Sequence, residues 1–134
     1  MSVSWLERLA NRVRPFMRRI SRAEYVSCRV RLHPEDSKID FGVVYVVAVH
    51  NQMKWAYFRC PCRHHDIVRL NLNPSVSPQW TVSASFLGGT TICPSIRQTD
   101  GCLSHFWIKS GRVHWCKDSG MRLRKPHEGI RGNT

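Results

Sequence analysis

The sequence predicts a mainly β (α+β) fold: a compact antiparallel β domain with one N-terminal amphipathic helix. Three observations lead there. Short runs rich in Val, Tyr, Trp and Phe, bounded by turn residues, recur between residues 24 and 115. Apolar residues at helical three- and four-residue steps are confined to residues 2–22. Cys60-Pro61-Cys62 and Cys102-x-x-His105, followed by Cys116, have the spacing of two metal-binding knuckles, each too short to bury a core alone. The 134 residues suffice for one domain with a hydrophobic core. They divide into a basic helix (1–22), a zinc-stabilised β domain (23–116) and a basic, disordered tail (117–134).

In the helix, Trp5, Leu6, Leu9, Val13, Phe16, Met17 and Ile20 form one face and arginines the other. Pro15 removes a backbone donor and should kink or split it. A helix capping the β core is favoured over a partner-binding or membrane-surface helix. Next, Glu24–Leu32 alternates as a strand, His33–Ser37 turns, and Phe41–Val49 is a valine-rich run expected to be buried on both faces. His50-Asn51-Gln52 leads into Lys54–Arg59, which delivers the chain to the first knuckle. Ile67–Leu72 is the partner strand. Asn73–Pro78 is a loop, Trp80–Phe86 a strand, and Gly88-Gly89 a break before the strand Thr90–Ile92. Phe106–Ile108 and Arg112–Trp115 make a hairpin around Ser110-Gly111.

The net charge of +12 is uneven: residues 1–22 carry +5, residues 117–134 carry +3, and the middle +4. Basic ends can bind nucleic acid, an anionic membrane or an acidic partner, and charge alone does not choose. No stretch reaches the roughly 18 apolar residues of a membrane span. The arginine-interrupted N-terminus lacks a signal-peptide core, so a cytoplasmic location is expected. Reducing conditions favour metal over disulfides for the clustered cysteines, with Cys28 and Cys93 left as free, buried thiols.

Possible metal ligands are Cys60, Cys62, His64, His65, Cys102, His105, His114 and Cys116. Cys60, Cys62, Cys102 and Cys116 would fill a closed tetrahedral site, structural and without chemistry of its own. A site using His64 or His105 in place of one thiolate is the alternative. An open three-ligand site could activate water, although no acid stands at the spacing of a zinc hydrolase. Cys93-Pro94-Ser95-Ile96, just upstream of the second knuckle, adds another possibility. A serine hydroxyl becomes a nucleophile when a neighbouring imidazole takes its proton, and the imidazole needs a partner to fix its tautomer. His105 is thus either a metal ligand or the base for Ser95. Asp100, Asp66 or a backbone carbonyl could orient it. His114, alternating with Val113 and Trp115, is expected to be an exposed strand residue, and His33, His50 and His127 belong to no visible constellation.

Cys60-Pro61-Cys62, Trp80, Pro94-Ser95-Ile96 and Cys102-x-x-His105 with the hairpin through Gly111 to Cys116 resemble a family of small bacterial proteins. Many of its members are encoded beside ubiquitin-like modifiers and their activating and conjugating enzymes. The resemblance covers roughly residues 40–116. It implies a zinc-stabilised serine peptidase that cleaves at the C-terminus of a ubiquitin-like protein, maturing precursors or removing the modifier from conjugates. Carried over by position, Ser95 is the nucleophile, His105 its base, and Cys60, Cys62, Cys102 and Cys116 hold structural Zn2+. Implied partners are the modifier, its conjugates and the E1- and E2-like enzymes. Many relatives read Cys-Pro-Cys-Gly-Cys where this chain has Arg63 and His64, so His64 could reach the metal. The competing reading is a non-catalytic zinc module that contacts nucleic acid or a conjugation enzyme through its basic ends.

Overall fold

Among the described residues, alternating apolar and polar positions fold into eight strands in two four-stranded sheets. In the computed structural model, residues 23–85 and 89–121 are described; the expected helix over 2–22 and the tail from residue 122 lie outside them. The first sheet holds β1 (Val26–Val30), β2 (Val43–Val49), β3 (Gln52–Arg59) and β4 (Ile67–Asn71) in that order. The second holds β5 (Thr81–Ala84), β6 (Thr90–Arg97), β7 (His105–Lys109) and β8 (Arg112–Trp115). All pairings are antiparallel except β1 with β2. That parallel pair departs from the all-antiparallel expectation. It requires a crossover, which residues 31–42 supply around a single 3-10 turn, Asp36–Lys38. Arg59 ties this crossover down, donating from Nε to the Ile39 carbonyl (3.0 Å) and from Nη2 to the Asp36 carbonyl (2.7 Å).

The core lies between the sheets. Val44, Val46, Ala56, Phe58, Val68 and Leu70 face Val82, Ile92, Ile96, Phe106 and Ile108 in one buried cluster. The rings of Phe58 and Phe106, both fully buried, meet edge to face at 6.4 Å. Burying each contributes about 1.5–3 kcal/mol from surface removal alone. On its other face β2 joins a smaller cluster of Ile39, Val47 and Tyr57, so its valines do serve both faces.

Both tight hairpins follow from their turn residues. His50 (φ 50°) and Asn51 (φ 60°) join β2 to β3, and Ser110 (φ 49°) and Gly111 (φ 78°) join β7 to β8. Two successive positive φ angles match the right-handed twist of the flanking strands. Gly111 is required twice over, because a Cβ there would lie 2.5 Å from that of Ala23. Its carbonyl accepts from Glu24 and Tyr25, which pins the hairpin tip against the start of the domain.

Candidate functional site

Sequence reading ends a strand at Ile92; in the structure β6 continues through Pro94 to Arg97. A bulge makes this possible. Ile92 pairs with Ile108 and Ile96 with Phe106, so Cys93, Pro94 and Ser95 oppose only Trp107. Proline is tolerated there because the ladder is already interrupted and no backbone donor is needed. Trp80 supports the bulge through a hydrogen bond from Nε1 to the Ser95 carbonyl (3.3 Å). Period-two alternation then sorts the side chains. Ile92, Ile96, Phe106 and Ile108 point into the core, and Arg97 and His105, paired across β6 and β7, point to the outer face.

The bulge brings Ser95 to the same face, with its Oγ 3.0 Å from His105 Nε2. On the far side of the ring, His105 Nδ1 lies 2.6 Å from Asp118 Oδ1. Arg97 Nη2 donates to Asp118 Oδ2 and stands 2.8 Å from His105 Nδ1. The Asp118 carboxyl is held below the usual carboxylate range, first by its hydrogen bond with His105, against slight desolvation, and then by Arg97. An ionised carboxylate only accepts, so the shared proton belongs to His105 Nδ1. That leaves the Nε2 lone pair free to accept from Ser95. Arg97 and the Nδ1–H are thus two donors converging on one carboxylate.

Asp118 is the carboxylate beside His105 that sequence reading missed. Neither Asp100 nor Asp66 occupies this position. The Asp100 carbonyl accepts from Leu103 N (3.4 Å), and Asp66 serves the first knuckle, its carbonyl accepting from Cys60 N (2.7 Å). Asp118 belongs to a turn that starts where the tail was expected to begin. Cys116 N donates to the His105 carbonyl (2.9 Å), Ser119 N to the Cys116 carbonyl (3.1 Å), and Gly120 N to the Leu103 carbonyl (2.8 Å). Ser119 Oγ also accepts from His105 N (3.0 Å), so the segment carrying Asp118 is fastened to the strand carrying His105.

A second constellation sits where the knuckles meet. Cys60 at the end of β3, Cys62 just beyond it and Cys102 in the β6–β7 loop have their sulfurs within 4.8 Å of one another. The Cys60 and Cys102 sulfurs are 3.8 Å apart. That matches the edge of a tetrahedron with Zn–S bonds of about 2.3 Å, which is about 3.8 Å. Burial pushes the Cys60 thiol up to about 12. Cys62 moves the other way: its own burial is outweighed by hydrogen bonds from the Asp66 backbone and from Cys60 and Cys102. Ser104 Oγ donates to Cys102 Sγ (3.1 Å), directly before His105. The three thiols therefore fit a soft cation such as zinc in spacing and donor type.

Cys116 departs from the expected ligand set. Its sulfur lies with His105 and Asp118, not with the other three cysteines. Opposite His105 across β7 and β8, it shares the outer face, whereas Cys102 turns toward the first knuckle from a loop. His105 likewise belongs to Ser95 and Asp118 rather than to the thiol cluster. His64 and His65 are exposed beside the first knuckle, and His65 stacks on Phe41 at 4.6 Å. His114 is exposed on β8, as expected. Neither Cys28 nor Cys93 is buried as expected: Cys93 is exposed and Cys28 half-buried.

Among the described residues, no helix is long and apolar enough to cross a membrane. A family model described as bacterial ubiquitination-like system serine protease (BubE) matches residues 30–116, from the end of β1 through Cys116. No curated protein and no solved structure matches the chain.

Proposed function

The chain belongs to the BubE family of bacterial ubiquitination-like system serine proteases, and on that premise we propose that Ser95, His105 and Asp118 form its catalytic triad. The observation that carries this reading is the unbroken run of contacts from Ser95 Oγ through both ring nitrogens of His105 to Asp118. Ser95 Oγ attacks the scissile carbonyl as His105 Nε2 takes its proton; the imidazolium, held by the Asp118 carboxylate, then gives that proton to the leaving amine. Water, activated by the same nitrogen, releases the acyl group from Ser95. Arg97 is a positioning residue that keeps Asp118 ionised and oriented.

The substrate is the C-terminus of a ubiquitin-like protein, cut from a precursor or from its conjugates; E1- and E2-like enzymes acting on the same modifier are the natural partners. Cys60, Cys62 and Cys102 would hold a structural zinc, with His64 beside them as a candidate further ligand. When bound, the ion would fasten the end of β3 to the β6–β7 loop beside the base, and no proton transfer would pass through it. Unpaired thiols in such a site suit the reducing cytoplasm.

The test is cleavage of a ubiquitin-like fusion by wild type, Ser95→Ala and His105→Ala. Both variants should lose at least about 10⁴-fold in kcat, as triad members do, while retaining one zinc and the wild-type circular dichroism spectrum. Undiminished cleavage by Ser95→Ala rules out the serine mechanism.

A further inference from the structure

His105 and Asp118 have a third neighbour that the triad does not use. One ligand atom each from His105, Cys116 and Asp118 lie within 4.8 Å of one another, and all three residues are partly buried. This cluster is separate from the Cys60, Cys62 and Cys102 thiols. Its geometry comes from the sheet. The 2.9 Å bond from Cys116 N to the His105 carbonyl sets the two residues opposite each other on β7 and the end of β8, with both side chains on the outer face. Two residues later the turn returns Asp118 to the same ring. An imidazole nitrogen, a thiolate sulfur and a carboxylate oxygen are three protein ligands of the kind that borderline-soft cations take, leaving a fourth corner for water. The side chains of His105 and Asp118 are 18% and 46% exposed, so a cation reaches them from solvent.

We infer that His105, Cys116 and Asp118 form an inhibitory site for a divalent zinc-like cation, which switches off the proposed serine protease by occupying its base. This rests on the catalytic reading of Ser95 and His105. A neutral imidazole has one nitrogen lone pair. If the cation takes Nδ1, the ring proton moves to Nε2, which then cannot accept from Ser95. If it takes Nε2, the accepting lone pair is consumed directly. Either way the Ser95 hydroxyl keeps its proton and is not a nucleophile. Binding exchanges the Cys116 thiol proton for the cation and involves no oxidation or reduction.

Arg97 sets the order of filling. Its guanidinium stands 2.8 Å from His105 Nδ1 and pairs with Asp118, so an incoming cation meets a fixed positive charge and competes for the carboxylate. The hydrogen bonds of the thiol cluster, Cys60 with Cys102 and Ser104 with Cys102, involve no cation. The thiol cluster therefore fills first, and the inhibitory site responds only to metal in excess of one equivalent.

The experiment titrates Zn2+ into protein already holding one zinc and reads cleavage of a ubiquitin-like fusion, comparing wild type with Cys116→Ser. Wild type should lose cleavage as a second equivalent binds and regain it when that equivalent is chelated. Cys116→Ser should cleave normally without added metal, keep its first zinc, and need about tenfold or more added Zn2+ for the same inhibition, since even an outer-shell partner commonly contributes 10–100-fold in affinity. Equal inhibition of the two proteins, or none of wild type, overturns the inference. A second readout does not depend on catalysis: Cd2+ added to the zinc-loaded proteins should give more thiolate-to-metal ultraviolet absorption in wild type than in Cys116→Ser. Equal absorption removes the site. If Ser95→Ala cleaves like wild type, the catalytic reading fails, and the cadmium difference alone then reports whether the cluster binds metal.

Discussion

Asp118→Asn should leave the fold intact and lower kcat by about 10⁴-fold, with little change in KM. Asp118 contacts His105 and Arg97 rather than the position a substrate would take beside Ser95, so its removal should act on the chemical step. The effect comes from the tautomer. The carboxylate obliges Nδ1 to carry the ring proton; an asparagine amide can donate to Nδ1 and so favours the ring with its proton on Nε2, which cannot accept from Ser95. Because the Asp118 pKa is lowered, its ionised contacts add stability above its unfolded pKa, about 3.9, and are lost as pH falls through the lower folded value. Between pH 5 and 8 Asp118 therefore stays charged, and loss of cleavage in that range is not its protonation. Steady-state kinetics across that range with matched circular dichroism spectra check the prediction. A variant within threefold of wild type would remove Asp118 from the mechanism.

Removing the metal should have the largest effect on stability. Cys60 and Cys102 are 42 residues apart in sequence, one directly after β3 of the first sheet and the other in the β6–β7 loop of the second, so an ion between them closes a long loop across the core. Structural zinc contributes about 10–16 kcal/mol in small zinc-finger peptides. Here the shared hydrophobic core carries part of the fold, so a smaller loss is expected: about 3 kcal/mol, or a fall in Tm of about 10–20 °C. Cleavage should fail with it, because Cys102 receives the Ser104 hydroxyl directly before His105. Burial keeps the Cys60 thiol protonated up to about 12 without a cation, so zinc uptake releases protons and weakens as pH falls. Chelation followed by calorimetry and a cleavage assay is the check, together with Cys60→Ser and, as a control, Cys93→Ser at an exposed position away from the cluster. A metal-free protein with unchanged Tm and cleavage would show the cluster to be three neighbouring thiols without a structural ion.

Much of this was legible in the sequence, and the parts that were not share a cause. Valine-rich runs and the Ser110-Gly111 pair marked strands and a hairpin because those signals are local. The approach of Cys60, Cys62 and Cys102 followed from loop spacing, and that of Ser95 to His105 from the resemblance. What escaped was register. The strand over Thr90–Ile92 was drawn too short, and only the pairing of Ile92 and Ile96 on either side of Pro94 shows the bulge through which it continues. Cys116 looked like the fourth thiolate by its distance along the chain, but its place opposite His105 turns it to the face that carries His105 and Asp118. Asp118 was hidden by composition. It is the second residue of a stretch (117–134) with five Lys and Arg that read as tail, and its one local signal was the Asp-Ser-Gly turn sequence shortly after a strand. The parallel pairing of β1 with β2 left no mark in either strand.

The most direct test of the central claim is labelling of the native protein with a fluorophosphonate, followed by mass spectrometry of the peptides. The account predicts one stoichiometric adduct on Ser95 that blocks cleavage and is lost in His105→Ala. Cleavage that persists without an adduct on Ser95, or with the adduct on another serine, would contradict it.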